Sequence, residues 1–193
     1  MKSSSNLLLA LVLVLSTASC ASTGPATDKV QAKHMDENAE MTPSDLGHRF
    51  LAMIKNMDNF DDLSAEFIQH STGSTFKGDE KSGFSTLKSP DGNWQYATTY
   101  NFDKKSEEYS NVTLELIRMN SSVDESSLPC DLATDEYDSA LKAMGFNTAP
   151  PTYGEIGWLL ALHYTSKNMH VQIVPQHGNP ACIKAFSIQK LDI

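Results

Sequence analysis

Between Trp94 and Phe102 every second position carries an aromatic ring or a threonine: Trp94, Tyr96, Thr98, Tyr100 and Phe102 all share one parity. Period two places all five on one side of a β-strand. A strand loaded in this way constrains the whole fold, because its sheet must either bury that side or present it as a platform for carbohydrate or peptidoglycan. A sheet needs one buried face, and these are the largest apolar groups on offer, so burial is the expectation. Val112, Leu114 and Leu116 form a matching row on a strand from about 111 to 119. A further strand from about 83 to 88 joins the aromatic one through Pro90-Asp91-Gly92-Asn93, a sequence with turn chemistry.

Elsewhere the pattern is helical. Thr42, followed by Pro43 and by Asp45 three positions on, is a capping-box-like start with proline where its missing N–H costs nothing. Leu46, Phe50, Met53, Ile54 and Met57 then recur on one helical face. Ser64 reads as the N-cap of a short second helix carrying Phe67 and Ile68 and ending near Gly73. Another helix runs from about Asp135 to Met144, capped by Thr134, with Gly145-Phe146 as a Schellman-like exit. Pro150-Pro151 breaks the chain, and Ile156 to Tyr164 is apolar on both parities, the mark of a central strand covered on both faces. After a turn at Lys167-Asn168, Met169, Val171 and Ile173 alternate with His170 and Gln172, and a last strand runs from about Cys182 to Leu191. The expected class is α+β, a largely antiparallel sheet with two main helices in the order α-α-β-β-β-α-β-β-β.

Composition bounds the function. The chain has 193 residues, 40% of them hydrophobic, and carries 15 Lys+Arg against 24 Asp+Glu for a net charge of −9. That is room for one globular domain. Only Arg49 and Arg118 are arginines, so the basic footprint that a phosphate backbone demands is missing and nucleic acid is excluded as the expected partner.

Lys2 is the only charge in the first nineteen residues, and an unbroken apolar run from Leu7 to Leu15 follows it. Nine residues at about 1.5 Å each cannot cross a core of about 30 Å, so the segment reads as an export signal. The run ends in Leu15-Ser16-Thr17-Ala18-Ser19-Cys20, which resembles the lipobox of bacterial lipoproteins, although Thr17 stands where leucine is commonest. The resemblance covers about the first twenty residues. It implies a diacylglycerol thioether on Cys20, cleavage before it and acylation of the new amino group. Ala21-Ser22, with no acidic residue after the cysteine, leans toward an outer-membrane anchor facing the periplasm. The expected organisation is a signal peptide over 1–19, a lipidated flexible tether over 20–41 and one α+β domain over 42–193. With Cys20 lipidated, Cys130 and Cys182 remain as an even pair in an oxidising setting, where the expectation is a disulfide.

Motifs for chemistry are sparse. Ser85 with Lys88 and Ser139 with Lys142 match Ser-x-x-Lys, but the companion Ser-Asp-Asn and Lys-Thr-Gly elements are absent. A P-loop, a Rossmann fingerprint, a nucleophile elbow and a His-Glu-x-x-His helix are absent too, so no catalytic residue, metal ligand or cofactor is assigned. His163 and His170 become diagonal neighbours on one sheet face if the loop at Lys167-Asn168 has two residues, and opposite-facing if it has three. Adjacent acids such as Asp61-Asp62, Glu107-Glu108 and Asp124-Glu125 read as solvated surface.

What remains is binding by shape and charge. Without the signal the chain keeps 14 basic and 24 acidic side chains, a field suited to steering a basic protein. The expected role is therefore a protein-binding lipoprotein, an inhibitor or immunity protein that neutralises a toxin or cell-wall-lytic enzyme. The rival expectation is an accessory lipoprotein of an envelope or secretion complex. Candidate contact residues are Asp124 and Glu125 in an acidic loop, and His177 and Asn179 in the segment Pro175-Gln176-His177-Gly178-Asn179-Pro180; the stretch from Asp103 to Glu108 is a third candidate element.

Overall fold

Helix α1 (Pro43–Lys55) begins where the capping pattern places it. The Asp45 amide donates to Thr42 Oγ1 at 3.1 Å, and the Thr42 amide and hydroxyl donate to Asp45 Oδ2 at 3.1 and 2.6 Å. The computed structural model describes residues 40–103, 105–106, 109–124 and 127–191. The expectations for Cys20, the signal and all but the end of the tether therefore lie outside the described residues, as do those for Glu125, Glu107 and Glu108. Helix α2 (Ala65–Thr72) starts with the Phe67 amide donating to Ser64 Oγ at 3.1 Å and stops at Gly73, whose φ of 69° is the left-handed conformation glycine adopts freely.

Eight strands form one sheet: β1 (Lys77–Gly78), β2 (Ser82–Lys88), β3 (Trp94–Asn101), β4 (Asn111–Arg118), β5 (Asn147–Tyr153), β6 (Leu159–Ser166), β7 (Met169–Gln176) and β8 (Asn179–Lys190). Their spatial order is β1-β2-β3-β4-β8-β7-β6-β5, with every neighbouring pair antiparallel. Two four-stranded meanders thus meet at the β4·β8 seam. Helix α3 (Thr134–Ala143) connects them in sequence.

One face of the sheet is the core. Trp94, Tyr96 and Tyr100 are buried together with Val112, Leu114 and Leu116 from β4 and with Val171, Ile173, Phe186 and Ile188 from β7 and β8. Phe50 of α1 and Tyr137 of α3 both pack on Phe186, with ring centroids 5.3 and 5.0 Å away, so the two helices meet over a central strand. The aromatic row of β3 is therefore core and not a platform. The opposite face alternates with it and carries half-buried polar side chains such as Thr113, His170 and Gln172.

The α+β class and the antiparallel sheet hold, but each half has four strands where the patterning suggests three. β1 is only a two-residue pairing. β5 runs through Pro150-Pro151, where the sequence predicts a break. Proline cannot donate to a ladder, yet β5 is an edge strand, and its pairing with β6 shifts between Ala149 and Thr152, so the prolines need donate nothing. Ile156 to Tyr164 is not a strand covered on both faces: β6 starts at Leu159, and Ile156 and Trp158 are 70% and 47% exposed. An apolar run on both parities reads the same whether it lies between two layers or forms an exposed corner. Thr134 does not cap α3; the cap position is Ala133, which makes no side-chain cap bond, and the Thr134 hydroxyl instead donates to the Pro180 carbonyl at 2.9 Å. The exit of α3 is a Schellman turn, with Phe146 N–H on Leu141 O at 3.1 Å, Gly145 N–H on Lys142 O at 3.0 Å, and Gly145 at φ 86°.

Candidate functional site

Two hairpins end beside each other at one corner of the second meander. The connection from β5 to β6 closes through Gly154 N–H on Trp158 O at 2.8 Å and Gly157 N–H on Gly154 O at 2.9 Å, with Gly157 at φ 80°. This tight loop leaves Tyr153, Ile156, Trp158 and Leu160 exposed. Four large apolar side chains so close in sequence are unusual on a water-facing surface and mark a contact region more often than they mark nothing. His177 stands edge-on to Trp158, ring centroids 3.6 Å apart and planes at 80°.

His177 reaches Trp158 because its own hairpin is anchored. The candidate segment 175–180 is not an open loop: β7 runs to Gln176 and β8 starts at Asn179, leaving a two-residue tip at 177–178. Pro175 and Pro180 lie inside the strands, and the pairing shifts around Pro175, which accommodates a residue without an N–H. Below the tip, Cys182 is joined to Cys130 by a disulfide with Cα atoms 5.2 Å apart. The Gln176 amide donates to Pro129 O at 2.7 Å, Ile183 N–H to Leu132 O at 2.9 Å, and the Asn179 amide to Cys182 Sγ at 2.9 Å. Residues 129–134 thus clamp the base of the hairpin, and Asn179 serves the clamp, its side chain pointed at the sulfur. Such anchoring lowers the ordering cost of any contact made by the tip.

Asp124 is exposed, and its carbonyl closes a turn by accepting from the amide and hydroxyl of Ser127 at 3.1 and 2.7 Å. Leu128, just past that turn, and His177 line one shallow groove of about 200 Å³ together with Glu115, Arg118 and Lys184. A larger groove of about 500 Å³ lies on the helix side between Ile54, Met57, Ala140, Met144 and Met169.

The polar face of the same meander holds the histidines. Ser166 pairs with Met169, so the loop at Lys167-Asn168 has two residues, and His163 and His170 become diagonal neighbours. Thr152 Oγ1 lies 2.8 Å from His163 Nε2, His163 Nδ1 lies 3.0 Å from His170 Nε2, and His170 Nδ1 lies 3.2 Å from Gln189 Oε1. A hydrogen-bonded ladder therefore crosses β5, β6, β7 and β8. Partial burial, and secondarily His170, hold His163 below the ordinary imidazole pKa. Hydroxyl, imidazole and orienting group stand here in nucleophile-to-base order, and neither groove above is lined by any of the four residues. Of the Ser-x-x-Lys pairs, Ser85 and Lys88 lie on a strand, where a spacing of three faces them apart, and Lys142 is held by Asp138 at 2.8 Å.

The exposed apolar corner was missed by sequence reasoning because Ile156 to Tyr164 was assigned to an interior strand. Its available signal was Gly154 and Gly157 flanking Ile156, glycines that suit a tight connection and not a buried strand. No protein-family model, no curated protein and no solved structure matches the chain.

Proposed function

We propose that the chain is a bacterial envelope lipoprotein, lipidated at Cys20 and facing the periplasm from the outer membrane, that binds a protein partner and acts as an inhibitor or immunity protein against a toxin or cell-wall-lytic enzyme. The observation that carries the binding role is the exposed cluster of Tyr153, Ile156, Trp158 and Leu160, backed by His177 on a disulfide-anchored hairpin. Tryptophan and tyrosine on a rigid support, ringed by apolar contacts that exclude water, are what the energetic centres of protein interfaces are made of. A net charge of −9 favours a basic partner, raising the rate and selectivity of encounter more than the affinity. The anchored hairpin tips would enter a cleft on the partner, with the polar surround forming the rim.

The test is affinity capture with the full chain in mild detergent, from envelope extracts and from supernatants of competing bacteria, beside an Ile156→Ser/Trp158→Ala variant. One basic hydrolase or toxin, retained by the wild type, lost with the variant and inhibited on binding, is the expected result. Capture that the variant leaves unchanged removes the corner as the binding surface. Recovery of envelope-assembly proteins alone replaces the inhibitor reading with the accessory one.

A further inference from the structure

Outside the apolar corner, the ladder on the polar face contains two imidazole nitrogens that face each other with nothing but a proton to separate them. His163 Nδ1 and His170 Nε2 are 3.0 Å apart, and the outer nitrogen of each ring already has an oxygen partner, Thr152 Oγ1 at 2.8 Å and Gln189 Oε1 at 3.2 Å. Two bare lone pairs at that separation repel, and two N–H groups collide. One proton between them is satisfied when Thr152 O–H donates to His163 Nε2, His163 Nδ1–H to His170 Nε2, and His170 Nδ1–H to Gln189 Oε1. Turning the Thr152 hydroxyl into an acceptor moves the His163 proton to Nε2. Both inner nitrogens are then bare while both outer N–H groups are held by oxygens, which is how metal-bound imidazoles are oriented by their outer partners.

We propose that His163 Nδ1 and His170 Nε2 together bind a divalent late first-row cation, Cu²⁺ most tightly, in place of the shared proton. The spacing brings both nitrogens within reach of one cation. With metal–nitrogen bonds of about 2.0–2.1 Å, ligands at a right angle stand ~2.9 Å apart and ligands at the tetrahedral angle ~3.4 Å apart. The rings now meet nearly end-on, the inner nitrogens 3.0 Å apart, the centroids 5.2 Å apart and the planes at 13°, as an N–H···N hydrogen bond places them. Each ring therefore turns about its soft χ2 torsion for both lone pairs to converge on one cation. Cu²⁺ leads the affinity order for imidazole sites and prefers tetragonal nitrogen–oxygen coordination. Among the described residues no third His, Cys, Asp or Glu joins the pair, so water completes the shell. That rules out the closed four-ligand cage of structural Zn²⁺ and leaves a site open to solvent. Backbone pairing across four strands fixes the ligand positions without any pocket.

The probe is Cu²⁺ alone, titrated into the full chain in mild detergent at slightly alkaline pH and followed by calorimetry and electron paramagnetic resonance. One site with two-nitrogen hyperfine structure is expected, and His163→Asn or His170→Asn weakens it by about 100-fold, whereas Gln189→Leu, which removes only an orienting oxygen, weakens it by about tenfold. His70→Asn, at an exposed position of α2, leaves it unchanged. Affinity falls as acid supplies the competing proton. Should the histidine variants unfold, the wild type still decides the question: trace Cu²⁺ must broaden the ring resonances of His163 and His170 before those of His48, His70 or His177. Equal Cu²⁺ affinity in wild type and His163→Asn, or broadening that begins elsewhere, overturns the proposal.

Discussion

A glycine and a tyrosine set how closely α1 approaches the region of α3. A Cβ built at Gly47 runs into the Tyr137 hydroxyl and Leu132 Cδ2, so this helix position must be bare despite the entropy that glycine costs. The Tyr137 hydroxyl is itself buried and has no hydrogen-bond partner among the described residues. Burial, and secondarily the Glu136 carboxylate, push its pKa well above the ordinary phenol value. Gly47→Ala should therefore cost about 1–3 kcal/mol through overpacking, while Tyr137→Phe, which removes an unpaired buried group, should be neutral or stabilise by about 1 kcal/mol. In the double variant the phenylalanine should recover part of the alanine's cost. Urea unfolding followed by circular dichroism measures all three, and a Tyr137→Phe variant clearly less stable than the wild type would show that the hydroxyl is satisfied in solution. At this scale sequence reading had the right residues for the wrong reason in one case and the right reason in another. Thr134 was marked as a cap and turns out to hold Pro180, whereas the diagonal placement of His163 and His170 followed once the loop length was stated as the deciding variable.

Elements with a local signature were legible, and those that depend on position in the sheet were not. The box at Thr42 and Asp45, the stop at Gly73 and the Schellman turn at Gly145 are each written in three to six adjacent residues. β5 is different: Asn147–Tyr153 tolerates two prolines only because it lies at an edge, and edge status is a property of the whole strand order. β6 fails for the same reason, since nothing in Ile156 to Trp158 says whether a second layer covers it. The hairpin of β7 and β8 leads to a prediction. Its base is tied to residues 129–134 by the Cys130–Cys182 disulfide, a bridge between Ala133 and Cys182, and two of the hydrogen bonds described above. The cross-link closes a loop of 52 residues, so its removal should destabilise by about 2–4 kcal/mol. A Cys130→Ala/Cys182→Ala variant should show that loss in thermal unfolding. It should also give partner binding weaker than its fraction folded explains, because the tip bearing His177 is then less ordered. Loss of stability with binding intact would confine the disulfide to the fold.

Across the molecule, the features on which the proposed functions rest gather in the second meander. The exposed corner, the anchored tip and the histidine ladder all belong to β5–β8, whereas α1, α2 and β1–β4 contribute chiefly helix cover and the aromatic half of the core. This asymmetry makes pH a whole-molecule probe. The chain carries a net charge of −9 at neutral pH, so mild acid relieves self-repulsion and by itself favours the compact state. His163 works the other way. Its folded pKa lies below the ordinary imidazole value of 6.5, so between the two values the unfolded chain holds more protons, and stability falls as pH drops through that window. Above 6.5 the histidine contributes no pH dependence, and below its folded value the loss is complete. Midpoints of thermal unfolding recorded from about pH 7.5 to about pH 5 should therefore fall more steeply for the wild type than for His163→Asn, whatever the absolute stability of each. Parallel curves would mean that the ladder accepts a proton freely, with the extra charge relaxed into solvent, and would leave only geometry in favour of two inner nitrogens competing for one occupant.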